Sequence, residues 1–418
     1  MHRSIGTFFA STLLTIGLLC SGSLATFAEE TTALADSPAT LTTLHIFQGF
    51  EGAYPLSSVI QGQDGNFYGT TQYGGTTFNP TATFQTGYGT VFKMTPTGTL
   101  TNLLLFNSSN GRSPAAPVIQ GSDGLLYGTT FGGGPYPGFG TAFSLSLTGT
   151  LTNLHEFSNG RDGNAPNAPL VQGLDGNFYG TTIAGGKIVR DYYALRYGRG
   201  VVFKVSPSGQ FTSLYTFNVI DGSQPAAGLV LGNDGNFYGT TRGGGASGAG
   251  TIFKIKTDGT LTTLYSFSGP DGDFVQSGLV QGNDGNFYGT TFYGGAENSG
   301  TVFKITPSGV LTTLHSFANN NMVEGCNPAA SLIQGLDGNF YGTTRYCGAN
   351  SGGTVFKITP SGVLSTLYSF TRGLDGCNPV ASLIQASDGS FYGTTYACGT
   401  PNSGTNLGFG TVFKLTVP

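Results

Sequence analysis

The chain has 418 residues, a formal net charge of −4 and only 9% charged side chains, which excludes both the basic footprint of a nucleic-acid binder and the polyacidic character of a disordered tail. Its 70 glycines fall mostly at fixed places where turns need them, so the composition reads as architecture and not as low complexity.

Residues 1–28 read as a secretion signal: His2 and Arg3, an apolar run from Ile5 to Leu19, then Ala-Thr-Phe-Ala ending at Ala28 before Glu29 and Glu30. Cleavage after Ala35 is a second choice, and Leu19 stands where lipid processing at Cys20 wants a small residue. The run is short for a bilayer span and no long apolar segment recurs, so the expectation is a secreted chain, extracellular, at the cell surface or periplasmic, with no membrane insertion after signal removal. Residues 29–40 are expected to be a linker and 41–418 the folded domain.

Tyr-Gly-Thr-Thr then recurs at Tyr68, Tyr127, Tyr179, Tyr238, Tyr288, Tyr341 and Tyr392, at spacings of 50 to 59 residues, and a period of that length marks a repeat architecture. Each unit holds four strand-like runs, illustrated by Gln276 to Gln281, Asn286 to Thr291, Thr301 to Thr306 and the preceding Leu261 to Phe267. Asp-Gly separates the first two runs in every unit, at Asp64, Asp123, Asp175, Asp234, Asp284, Asp337 and Asp388, and that dipeptide is expected to take positive φ in a tight hairpin. A second turn, Pro307 to Gly309 in one unit, separates the third and fourth.

Two hairpins per unit imply four antiparallel strands, and a single four-stranded sheet cannot bury its faces alone. The prediction is an all-β seven-bladed β-propeller. The chain opens at Leu41 to Phe47 with a copy of the fourth run and closes at Gly410 to Pro418 with a copy of the third, so the N-terminal strand is expected to complete the last blade. Phe47, Phe106, Phe157, Phe217, Phe267, Phe317 and Phe370 end the fourth runs, and Phe92, Phe143, Phe203, Phe253, Phe303, Phe356 and Phe413 sit in the third. These are expected to be blade core. The signature tyrosines are read as structural, with backbone or threonine partners for their hydroxyls, against the alternative of a ring of binding tyrosines.

These units resemble the GloVer tandem repeat of secreted bacterial proteins over about residues 41–418. The resemblance rests on Tyr-Gly-Thr-Thr, the following Gly-Gly (replaced by Cys347-Gly348 and Cys398-Gly399 in two units) and Gly-Thr-Val-Phe. It implies an extracellular β-rich repeat protein with no assigned activity. The Asp-Gly-Asn-Phe-Tyr pattern is more weakly similar to NHL and virginiamycin-lyase propellers. That likeness implies that the Pro-x-Ala-x-Leu run lies innermost and Leu-Thr-Thr-Leu outermost; the lyase's catalytic histidine has no counterpart.

In that strand order Cys326, Cys347, Cys377 and Cys398 lie at one end of the ring, which favours Cys326 with Cys347 and Cys377 with Cys398. An interblade Cys347–Cys377 bridge stays open. Disulfides are expected over reactive thiols in an exported chain, and neither a metal site nor a cofactor is expected.

The loops after Tyr-Gly-Thr-Thr vary in length on the same face, and function favours such loops. The third unit's loop carries Lys187, Arg190, Asp191, Tyr192, Tyr193, Arg196, Tyr197 and Arg199; its basic and tyrosine residues are the candidate binding residues, because Arg and Tyr make good contact hot spots. Tyr73, Phe131, Tyr293, Tyr346 and Tyr396 either edge a ligand surface or cover the blade tops. Glu51, Asp162, Asp221, Asp271, Glu324 and Asp375 either ring a central cation or form ordinary turns. His45, His155 and His315 share one outer slot in different units, so no two meet and no histidine-based catalytic site is expected. The leading expectation is a noncatalytic binding or adhesion module for a cell-surface glycan or protein; the alternative is a polysaccharide hydrolase or lyase, with Asp162 and Asp191 the pair to test.

Overall fold

Valine, isoleucine, threonine and aromatic residues fill the second and third runs of each unit, and such side chains suit strands covered on both faces. The computed structural model describes residues 39–79, 85–134, 138–186, 198–319, 323–400 and 408–418. In the fifth unit, Phe287–Thr291 pairs antiparallel with Thr301–Ile305, and every residue of the pair is buried except half-buried Lys304. Leu261–Ser266 lies at the outer edge of the preceding sheet and exposes Thr262 and Thr263.

Seven four-stranded antiparallel sheets result, and the protein is a seven-bladed β-propeller. Six blades run in chain order. In the seventh, the N-terminal strand Thr40–Ile46 lies outside Thr411–Thr416, with register from Thr40↔Thr416 to Ile46↔Thr411. The expected latch is therefore the closure used.

The core lies between the blades. Tyr288, Val302 and Phe317 of the fifth unit pack with Leu332, Phe340 and Phe356 of the sixth, and Phe47, Phe67, Phe92, Tyr392 and Val412 join the last blade to the first. The two phenylalanine sets meet across each boundary, edge to face, as in Phe267–Phe303 at 5.4 Å, and Phe47–Phe92 at 5.6 Å closes the circle. Both sets are core, as expected.

Two readings are corrected. The innermost run is a strand over two residues only, Val280–Gln281 in the fifth unit, because the small residues before it face the crowded axis and pair with neighbouring blades instead of a ladder. The Asp-Gly turn is a three-residue loop: Gly62 N–H donates to Asn66 O and Gly65 N–H to Gly62 O, with Gly65 at φ 78°. Only the glycine is left-handed; the aspartate stays right-handed and its carboxylate accepts from the Asn66 N–H at 3.1 Å.

Candidate functional site

Each Tyr-Gly-Thr-Thr residue has a separate task. The tyrosine is buried and its hydroxyl donates to the aspartate of the Asp-Gly turn in all seven blades, as in Tyr68–Asp64 at 2.8 Å and Tyr392–Asp388 at 2.8 Å. The partner is this carboxylate, where backbone or threonine was expected. The first threonine donates to a carbonyl of the next blade's innermost run, from Thr70 to Ala116 O at 3.0 Å through to Thr394 to Ser57 O at 2.9 Å. The second bonds the third strand of its own blade, as in Thr291–Thr301 at 2.9 Å.

These contacts fix a channel on the ring axis, about 330 Å³ in volume and lined by the innermost runs of all seven blades. Its walls are small residues such as Ser58, Ala115, Ala227, Ala330 and Ser382. At its loop end each blade turns through a left-handed residue: Tyr54, Ser113, Ala165, Gln224, Phe274, Asn327 and Asn378, at φ between 53 and 57°. A non-glycine residue there costs roughly 1–2 kcal/mol. Each is held by an N–H bond to the preceding blade, such as Gln224 N to Arg199 O at 2.8 Å.

Two arginines reach this channel, Arg242 and Arg345, each immediately after its Tyr-Gly-Thr-Thr. A second cavity of about 590 Å³ opens on the loop face and is lined by Arg112, Phe131, Phe139, Asn164, Arg199 and Gln224, with Arg242 shared between the two. Of the candidate binding residues, Arg199 lies in this lining; Lys187, Arg190, Tyr192, Tyr193, Arg196 and Tyr197, with Asp191, lie outside the described residues. Arg112, Arg242 and Arg345 were missed by the sequence reading. A signal existed for the last two: a charge stands where other units have Gln72, Phe131, Ile183, Phe292 and Tyr396.

The loop aromatics mostly contact one another. Tyr54 meets Tyr73 at 6.0 Å, Tyr396 at 5.0 Å and Phe409 at 5.7 Å, and Phe292 meets Tyr293 at 4.7 Å. The acidic loop residues cap the outer strands and do not ring a central cation. Asp162 accepts from Ser158 Oγ at 2.6 Å and lies 3.1 Å from His155 Nε2, and Tyr215 donates to Asp221 at 2.6 Å. Burial works against the Asp162 charge, but bonds from His155 and Ser158 hold its carboxyl below the usual range. His45 and His315 face Glu51 and Glu324 at 3.5 and 3.2 Å in the same slot. Among the described residues no group of three or more metal-binding side chains is found.

Cys326 bonds Cys347, and Cys377 bonds Cys398, so the intrablade pairing holds and the interblade alternative does not. Cys347 and Cys398 have φ of 61 and 65° at the slot where Gly74, Gly244 and Gly294 are left-handed in other blades. In those blades a Cβ would collide with the facing loop, as at Gly74 with Gly49 O at 2.4 Å, whereas in these two it carries the disulfide.

Residues 31–192, 79–283 and 191–407 match the model of the Gloeobacter/Verrucomicrobia repeat. The chain belongs to that family. Among solved structures, the extracellular domain assigned to a hybrid two-component system of B. thetaiotaomicron resembles this Gloeobacter/Verrucomicrobia repeat protein with a TM-score of 0.56 at 10% identity. That match covers 90% of this chain and 39% of the other, and it speaks to fold alone. A gluconolactonase of Xanthomonas campestris (TM-score 0.46, 12% identity, 91% and 90% covered) is similar at a level that carries no argument. The same holds for the periplasmic gluconolactonase of Pseudomonas aeruginosa (0.48, 16%, 80% and 96%). No curated protein sequence matches the chain.

The tyrosine–aspartate ring is expected to make the repeat sensitive to alkali. Burial, then the bond to Asp123 and its charge, raises the Tyr127 phenol above its ordinary value, and the other six signature tyrosines shift the same way. A raised phenol contributes stability that is complete below about pH 10 and lost as pH climbs through the folded value. For Asp64, burial is outweighed by bonds from Lys93, Tyr68 and Asn66, so its pKa falls; that contribution is present above about pH 4 and disappears as pH drops through the folded value. Thermal unfolding is expected to hold steady from pH 6 to 9 and to shift downward by pH 11. An unchanged midpoint at pH 11 would remove the ring as a source of stability.

Proposed function

We propose that this repeat protein is a secreted, noncatalytic binding module that holds a glycan or protein on the face formed by the loops after the Tyr-Gly-Thr-Thr strands. The observation that carries the reading is the loop-face cavity, where Arg112, Arg199, Phe131 and Phe139 combine planar cations with aromatic surface, the composition of contact hot spots. A scaffold whose polar ring contacts are committed to structure leaves such loops free to vary. The carboxylate chemistry of a hydrolase or lyase gains no support from Asp162, whose oxygens already serve Ser158 and His155.

Expression in a secreting host is expected to yield processed protein beginning near Glu29 or Asp36. On a broad glycan array the wild type is expected to bind, and an Arg112→Ala/Arg199→Ala variant to lose at least tenfold in affinity with its unfolding midpoint unchanged. Silence from both on glycans would leave only the protein half of the reading, to be tested by cross-linking on intact cells; intracellular retention of the full chain would sink the secreted assignment.

A further inference from the structure

The axial channel is electrically simple. Among its described lining residues the only charged side chains are Arg242 and Arg345, carried at the same repeat position by the fourth and sixth blades. Neither has a carboxylate partner among the described residues, whereas Lys93, Lys254 and Lys414 each lie against an aspartate. Arg242 is half-buried; its Nη2 donates to Gln276 Oε1 at 3.3 Å and its guanidinium sits 4.6 Å from the Phe274 ring centroid. Arg345 lies 5.1 Å from the Tyr346 ring. The Nε atoms of both arginines are buried without a hydrogen-bond partner.

Withdrawing a cation from water without a counter-ion is costly, and burial duly pushes the Arg242 guanidinium down. Nothing in the fold needs that cost: five blades place uncharged residues in the slot. A guanidinium fork suits an oxyanion, and a carboxylate best matches its planar two-pronged geometry. The channel, about 330 Å³, lies at the small end of ligand sites, which suits a single sugar ring more than a folded partner. Its wall carries serine hydroxyls and backbone groups, including Ser58, Ser331 and Ser382, and these match the hydroxyl edge of a saccharide.

We propose that Arg242 and Arg345 hold the carboxylate of an acidic sugar, a uronic acid at the end of a glycan, in the loop-side mouth of the axial channel, with Gln276 orienting Arg242. This rests on the reading of the loop face as a binding face and names the ligand chemistry for its centre.

The test is calorimetric titration of the full mature protein with oligogalacturonates, their methyl esters, neutral galactose oligomers and oligoglutamate. Wild type, Arg242→Gln, Arg345→Gln, Arg242→Lys and the surface control Arg372→Gln are compared. The free acid is expected to bind wild type and the control alike, the methyl ester and neutral oligomers at least tenfold more weakly. Each Gln variant is expected to lose tenfold or more, and Arg242→Lys to fall between. The unfolding midpoints of the Gln variants without ligand are expected to stay level or rise, because an unpaired buried charge has been removed. The proposal is overturned by equal binding of ester and acid, by Gln variants that bind like wild type, by oligoglutamate binding where uronates do not, or by no binding of any probe. It is also overturned if the Gln variants lose binding only together with a fall in midpoint, since that marks a structural role. Array binding that depends on Arg112 and Arg199 while uronates fail here would leave the loop-face reading standing and remove this inference alone.

Discussion

Removal of residues 39–47 from the folded domain is expected to abolish its cooperative unfolding transition. The deletion strips the ladder from Thr40↔Thr416 to Ile46↔Thr411 and exposes Thr411–Thr416 as a long unpaired edge, an invitation to aggregation. It also removes Phe47, which is fully buried and packs edge to face on Phe92 of the first blade. Loss of one such ring costs about 3–5 kcal/mol, a large share of the roughly 5–15 kcal/mol that stabilises a domain. The lost ladder and the opened boundary between last and first blades add to it. Circular dichroism with urea denaturation would show a broad or missing transition and, in the milder Phe47→Ala variant, a clear fall in midpoint. A truncated chain that melts like wild type would mean that a three-stranded last blade suffices to close the ring.

The glycine of Tyr-Gly-Thr-Thr is expected to tolerate no side chain. A Cβ on Gly239 would lie 2.6 Å from Cζ of Phe253 and 2.8 Å from Cδ2 of Leu229. Phe253 cannot yield, being fully buried with its ring 5.2 Å from that of Phe217. Overpacking of this kind costs about 1–3 kcal/mol, and equilibrium urea unfolding of Gly239→Ala should show it. The double variant Gly239→Ala/Phe253→Leu should recover part of the loss if the clash is the cause. Equal stability of Gly239→Ala and wild type would show that the Phe253 ring gives way and that this part of the fourth blade is not closely packed.

Much of the architecture was legible because it repeats. Seven copies of the same turn and strand chemistry average out local ambiguity, and the expectation that the run Leu41 to Phe47 completes the blade of Gly410 to Pro418 is met by the pairing of these two strands. The cysteine pairing was legible in part: the strand order that the propeller resemblance implies favoured Cys326 with Cys347 and Cys377 with Cys398, and the structure closes the interblade alternative. The roles of individual side chains were less so. Nothing in the local pattern says that the Tyr68 hydroxyl turns back to Asp64, that Thr70 reaches across to the next blade, or that Glu51 and Asp162 cap the outer strands.

For this member of the Gloeobacter/Verrucomicrobia repeat family, period and patterning by themselves determined blade number, strand count, closure and core composition, since these follow from short-range chemistry copied seven times. Only the tertiary structure decided which side chains outside the innermost runs also reach the axis. Arg242 and Arg345 are 103 residues apart in the chain yet line one channel, because ring closure converts an equal position in each repeat into an equal distance from a common axis.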